Sequence, residues 1–377
     1  MDNCMGIIDF NNIEENFGKL CKSRPMAMLP FGGRYRLADF FLSNMVDHDI
    51  NNIGVFTGTK IRSVMDHMGS GKPWDLNRRF KGLFIFPPLF DEEKNGGYGD
   101  LQQFFNNDEF FARSTEDNIF LSNTNMLVKI DMERAYKHFK ETDADVTLIC
   151  KRVKDPNGKF INCEKIKKDD NGCVKSVGAN LGTEEEFDLY VGSLFIKKEV
   201  YRQLVREAIE EGNARYLRDA LLRGINKYKF NCFEHVGHIE SIRNVKNYFD
   251  ANMNLLEPEI YNEMFFKYGI VYTKNQDEPS TFYKENAVVK NSLIANGCTL
   301  DGSVQNSILF RGVKIGKNAI VKNSVIMQKT VIGENAVIVN AILDKYVTVE
   351  DGVEIIGNHT VPYVVEKDMV ISKEAQR

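Results

Sequence analysis

Apolar and polar positions follow two different periods along this chain of 377 residues. From about residue 5 to residue 250, short apolar runs alternate with longer amphipathic ones. Cys4–Phe10, Asn52–Phe56, Gly82–Phe86, Asn118–Ser122 and Asp145–Cys150 have the length and composition of buried strands. Leu37–Asp47, Gly99–Phe111, Met132–Lys140 and Glu199–Glu211 carry helical spacing. Strands alternating with helices predict a three-layer α/β domain around a largely parallel sheet. Val153–Gly182 is more polar, and its Lys167-Lys168-Asp169-Asp170-Asn171-Gly172 run predicts a hairpin at an edge or lid.

The last quarter changes period. Val313, Ala319, Val325, Val331, Val337, Leu343, Val349, Ile355 and Val361 recur at steps of six, with Ile320, Ile326, Ile332 and Ile338 beside them. An earlier frame, Val288, Ile294 and Leu300, slips before Ile308. A sustained six-residue period predicts a parallel β-helix, in which each triangular coil has three six-residue sides. The division expected from these patterns is 1–256, a linker over 257–283 carrying Pro258 and Pro279, and a β-helix over 284–377. Lys314, Lys317, Lys322, Lys329 and Lys345 fall where coils turn and are expected at the surface.

Composition narrows the function classes. With 43% hydrophobic, 27% charged and 11% aromatic residues, the chain can bury a core and is not of disordered type. A formal net charge of −4 gives no basic footprint for nucleic acid. No apolar run reaches the roughly 20 residues of a membrane helix. The N-terminus lacks a basic segment of secretory type, and the 7 cysteines are scattered without a C-x-x-C pair. A reduced, cytoplasmic setting without a zinc or disulfide framework is the expectation.

The segment from Arg24 to Phe40 carries candidate chemistry. Gly32 and Gly33 allow close approach of the backbone, and Arg24, Arg34 and Arg36 offer bidentate anion contacts. A turn with ordinary surface arginines is the competing reading.

Arg24-Pro25-Met26-Ala27-Met28-Leu29-Pro30-Phe31-Gly32-Gly33-Arg34-Tyr35-Arg36-Leu37-Ala38-Asp39-Phe40 resembles the R-A-K-P-A-V-P-F-G-G-K-Y-R-L-I-D-F signature of the glucose-1-phosphate adenylyltransferases (ADP-glucose pyrophosphorylases). His235-Val236-Gly237-His238-Ile239 followed by Tyr248-Phe249-Asp250-Ala251-Asn252 is similar to that family's D-V-G-T-I…Y-W-x-A-N. Arg215-Tyr216-Leu217-Arg218-Asp219 sits where it has D-F-G-x-D, and Ser307-Ile308-Leu309-Phe310 resembles the start of its β-helix. The resemblance runs the length of the chain. It implies a Rossmann-like, GT-A-like nucleotidyltransferase domain followed by a left-handed parallel β-helix of hexapeptide repeats.

Departures from the family pattern bear on activity. Nucleotidyl transfer needs a triphosphate cradled by backbone N–H groups, with Mg²⁺ and basic side chains offsetting its charge. In place of the family's G-G-x-G-x-R-L loop stands Asp9-Phe10-Asn11-Asn12-Ile13-Glu14-Glu15-Asn16-Phe17-Gly18-Lys19-Leu20, with one glycine and two glutamates. The aspartate of L-S-G-D-H gives way to Asn123-Thr124-Asn125, and that of D-V-G-T to His235. Mg²⁺ prefers carboxylate oxygens, so both expected ligands are lost. On the sugar side G-T-A-D-A becomes Gly99-Asp100-Leu101-Gln102-Gln103. The lysine of F-x-E-K-P has no counterpart near Ala179, and A-S-M-G becomes Leu189-Tyr190-Val191-Gly192. Thr124, Gln102, Ala179, Tyr190 and His235 are thus degenerate substrate-pocket positions, and no catalytic or metal-binding residue is expected.

The resemblance therefore implies a regulatory subunit of ADP-glucose pyrophosphorylase in glycogen synthesis. It would modulate a catalytic, GlgC-type partner in a heterotetramer, with Mg²⁺ held by that partner and no cofactor of its own. Arg24, Arg34 and Arg36 would then be either an effector site for phosphate or a sugar phosphate, or subunit-contact ion pairs. The alternative is an active or weakly active sugar-1-phosphate nucleotidyltransferase with a rebuilt site. A hexapeptide-repeat acyltransferase is disfavoured, because the coils carry only His359.

Overall fold

The computed structural model describes residues 1, 3–11, 14–88, 99–170, 172–212 and 214–373. Contacts divide the chain into two compact units. One comprises Met1–Asn12, Phe40–Ile239 and Phe266–Val271, and the other Ile13–Asp39, Glu240–Phe265 and Tyr272–Arg377.

The first unit is built on a nine-stranded sheet. Its centre is the strand Cys4–Asp9, which pairs in parallel with Asn52–Phe56 on one side and Asn118–Asn123 on the other. Gly82–Phe86 extends the parallel part beyond Asn52–Phe56. Alternation through the central strand accounts for the layers. Met5 and Ile7 join a core with Phe104, Phe111, Tyr201 and Leu204, supplied by helices Asp100–Asn106, Asp108–Arg113 and Lys198–Glu210. Gly6 faces the opposite way, where a Cβ would come within 2.7 Å of Met45 Sδ in the helix Leu37–Val46. The expected helix over Gly99–Phe111 breaks at Asn107, whose φ of −108° and ψ of 22° leave the helical region.

The sheet is mixed rather than largely parallel. The long strand Glu186–Lys197 runs antiparallel to Asn118–Asn123, to Val146–Lys154 and to Glu164–Lys168. Its register shifts between Tyr190 and Leu194, at Gly192 with φ +74°. The hairpin read in Val153–Gly182 is present as antiparallel Glu164–Lys168 and Val174–Ala179. Strands joined by a hairpin need no crossover helix, so this stretch departs from the α/β alternation. Trp74 is 2% exposed and meets His67 edge-on at 5.9 Å, a packed anchor of its loop.

The second unit contains a left-handed β-helix with three parallel sheets of six, five and five short strands. Its interior column is Ile315, Val321, Ile326, Ile332, Ile338, Leu343, Val349 and Ile355, all nearly inaccessible. These residues step by six, five and six, and equivalent positions in successive coils are 17 apart. Asn323 and Asn340, with φ 46° and 49°, occupy the five-residue sides. A left-handed backbone there turns the corner in one residue fewer, and asparagine tolerates that conformation. A uniform step of six consequently drifts out of the interior. Val331 is 37% exposed and Val361 70%, so neither belongs to the core column. The stretch expected as a linker holds the helix Pro258–Phe265 and the first short β-helix strand, Phe282–Tyr283.

Candidate functional sites

In the first unit, a cavity of about 110 Å³ opens beside the register shift. Asp9, Asp100, Asn123, Glu164, Tyr190, Gly192 and Arg218 line it, over an apolar floor that includes Leu148, Leu217 and Phe230. Asp9 ends the central strand and accepts the Asn11 N–H at 2.9 Å, while Asp100 accepts the Leu217 N–H at 2.7 Å. The two carboxyls hydrogen-bond each other. Burial raises the pKa of both, and their mutual repulsion raises that of Asp100 further. One proton shared by the pair is the arrangement that burial favours.

Of the five positions expected to be degenerate, Tyr190 lines this cavity. It pairs with Cys150 in the antiparallel register, and burial raises its hydroxyl pKa well above the ordinary value. Thr124 is buried in the turn after Asn123, whose carboxamide accepts the Asn125 N–H at 3.2 Å. Gln102 points along its helix to Asn106 at 2.9 Å. Its neighbour Gln103 turns inward instead, bonding Asn11 at 2.8 Å and the carbonyls of Thr57 and Phe86. Ala179 is exposed at the end of its strand, two residues from the cavity-lining Val177. His235 is 2% exposed, and its backbone N–H donates to Cys150 at 2.7 Å.

These residues do not fit Mg²⁺. The Asn123–Asn125 turn and His235 offer amides, a hydroxyl and an imidazole but no carboxylate. Among the described residues no group of three or more His, Cys, Asp or Glu could hold a metal ion.

In the second unit, the segment that would be a phosphate loop is a 3₁₀ helix over Glu15–Cys21 with Phe17, Leu20 and Cys21 buried. Asn12 and Ile13 of that segment lie outside the described residues. Glu14 accepts the Met26 N–H at 3.0 Å, so a carboxylate occupies a backbone donor in the signature segment.

Arg24, Arg34 and Arg36 do not share one environment. Arg24 is 3% exposed, and its Nη2 donates to Asp344, while its buried Nη1 has no partner. Arg36 donates through Nη1 to Met28 O at 2.9 Å, and its backbone N–H goes to Asp39 at 2.9 Å. Arg34 is exposed beside the Tyr35 ring at 5.4 Å.

Lys345 corrects the expectation of a surface lysine at every corner. It is 9% exposed, and burial, with Arg36 and Arg24 close by, pulls its amine down to about 6. The residues joining it are far away in sequence, so inspection of the corner alone does not reveal them. A local signal does exist. Arg311, Gln328 and Lys345 recur at the coil period of 17 residues, which marks one face of one corner.

The nucleotidyl transferase family model matches residues 18–160, and a GlmU-like C-terminal hexapeptide model matches residues 279–362. Glycogen biosynthesis protein GlgD of Bacillus subtilis (strain 168) is 32% identical over 83% of this chain and 81% of its own length. GlgD of Geobacillus stearothermophilus is 35% identical, over 84% and 82%. A glucose-1-phosphate adenylyltransferase of Clostridium botulinum (strain Eklund 17B / Type B) is 30% identical, over 81% and 79%. The chain belongs to the glucose-1-phosphate adenylyltransferase family, alongside the GlgD proteins. Within that family, an acidic cavity and a partly buried cationic corner are the chemical features this member presents.

Proposed function

We propose that this chain is a regulatory subunit of ADP-glucose pyrophosphorylase in glycogen biosynthesis. The reaction served is ATP plus glucose 1-phosphate giving ADP-glucose and pyrophosphate. The reading is carried by the charge of the cavity: Asp9, Asp100 and Glu164 line it, with Arg218 as the only cation among the described residues. A triphosphate or sugar phosphate brought there meets like charge, without the backbone donors and Mg²⁺ that transfer needs. The chain would then act by association with a catalytic partner of the same family, in the cytoplasm and in a heterotetramer.

The cationic cluster of Arg24, Arg36 and Lys345 supports an effector role in the same reading. Asp344 is one carboxylate against three basic groups, and Arg24 keeps one buried donor free. A phosphate or sugar phosphate would supply the missing acceptor.

The test is ADP-glucose formation by this chain alone, by a catalytic glucose-1-phosphate adenylyltransferase alone, and by the mixture. Silence alone, with a higher rate or lower substrate requirement in the mixture, is the expected result. Turnover by this chain alone at a rate comparable to the catalytic enzyme would overturn the reading in favour of a rebuilt active site.

A further inference from the structure

The 7 cysteines are scattered along the sequence and stand as thiols, but the fold of the first unit brings two of them together. Val146–Lys154 and Phe230–Glu234 are adjacent parallel strands, in which Cys232 pairs with Leu148 and Glu234 with Cys150. Side chains alternate along a strand, so Cys150 and Cys232 share one face of the sheet as diagonal neighbours. The two thiols hydrogen-bond each other. Cys4 and Cys298, by contrast, donate to the backbone carbonyls of Met5 at 3.6 Å and Phe310 at 3.2 Å.

The surroundings of the pair are uneven. Cys150 is buried in the core, and Cys232 packs against that core while half-buried, so Cys232 is the more accessible sulfur. The Cys150 contact and then burial push the Cys232 thiol up, whereas Lys168, itself bonded to Asp188 at 3.0 Å, opposes them. The pair also adjoins the cavity beside the register shift. Leu148, the register partner of Cys232, and Phe230, two residues before it, both line that cavity. Cys173 is half-buried and bridges to Asn231, the residue before Cys232, whose side chain points to the other face.

We propose that Cys150 and Cys232 form a redox-responsive dithiol that closes reversibly to a disulfide within one chain. The oxidant is a low-molecular-weight disulfide. The thiolate of Cys232 attacks one of its sulfurs and expels the other half, which takes up the proton as a thiol. The thiolate of Cys150 then attacks the Cys232 sulfur and expels the second half in the same way. The two cysteines lose two protons and two electrons, and the small disulfide becomes two thiols. Diagonal neighbours on paired strands have Cα atoms about 7–8 Å apart, beyond the usual disulfide span of about 4.4–6.8 Å. Closure therefore draws the two strands together beside Leu148 and Phe230. A bond strained in this way is easily reduced, which suits a reversible switch rather than a permanent staple. The pair needs only its own two sulfurs, so the proposal stands whether or not the chain regulates a catalytic partner.

The experiment exposes the folded full chain to oxidised glutathione, blocks the remaining thiols by alkylation, and maps linked fragments by mass spectrometry after proteolysis without reductant. A fragment pair joined through Cys150 and Cys232 is expected, and it should disappear when dithiothreitol is added before alkylation. Cys150→Ser and Cys232→Ser should each lose that linked pair, whereas Cys173→Ser should keep it. Cys232 is half-buried, so its variant decides the matter if Cys150→Ser fails to fold. Four results would overturn the proposal: both thiols recovered alkylated, glutathione held on Cys232 without a link, a link through Cys173 instead, or a link formed only in urea.

Discussion

Arg24 and Asp344, 320 residues apart, form an ion pair whose side chains are only 4% and 1% exposed. The pair joins the signature segment to a coil of the β-helix within one compact unit. Removing one partner of a buried pair leaves an uncompensated charge and costs about 3–5 kcal/mol, more than the pair itself contributes. Asp344→Asn is therefore expected to lower the urea midpoint of unfolding strongly. The double variant Arg24→Met, Asp344→Leu should recover most of the loss. A single variant as stable as the wild type would mean that the pair is not formed in solution.

Lys345 sets a pH dependence of stability. Below about 6 its amine is protonated in both the folded and unfolded chain, and above 10.5, the ordinary value, it is neutral in both. Between these limits the unfolded chain holds a proton that the folded chain has released, so the contribution of Lys345 makes stability rise with pH. Lys345→Met is expected to flatten that rise. Urea unfolding of both proteins at pH 6, 7, 8 and 9 (roughly the accessible part of the window) checks this, and parallel curves would refute it.

The Asp9–Asp100 pair works in the opposite sense. Both carboxyls have raised pKa values, so the folded chain keeps a proton above the ordinary value of 3.8 that the unfolded chain has lost. Stability from this pair is present at low pH and declines as pH rises through the raised values. Asp100→Asn removes the repulsion and keeps an oxygen for the Leu217 N–H. Its gain over wild type should be larger at pH 8 than at pH 4, read from unfolding midpoints at the two values.

Gly192 links the register shift to the cavity. Its φ is +74°, and a Cβ there would come within 2.2 Å of Asn123 Oδ1. Gly192→Ala is expected to cost about 1–3 kcal/mol from backbone strain together with displacement of Asn123. Adding Asn123→Ala should return only the steric part, because the backbone strain persists. Equal stability of Gly192→Ala and wild type would rule out the strained corner.

Much of the architecture is legible in the residue pattern, because it depends on local periods. Buried strands such as Asn52–Phe56 announce themselves as short apolar runs, and the coil repeat shows as apolar residues recurring about every six. The finer step of five is also local, since Asn323 and Asn340 mark it, but it appears only once left-handed corners are recognised. The antiparallel insertion is less visible, because a strand's direction depends on its partner rather than on its own composition.

The candidate sites divide along the same line. The single glycine of Asp9–Leu20, the Asn123-Thr124-Asn125 run and the presence of Arg24, Arg34 and Arg36 are chemical facts of the sequence. Tertiary structure alone decided that Gln103 rather than Gln102 turns inward, that Asp9 meets Asp100, and that Lys345 is buried while Arg34 stays exposed. Helical and strand periods arise between near neighbours, whereas desolvation of a charge depends on whatever distant segment folds over it.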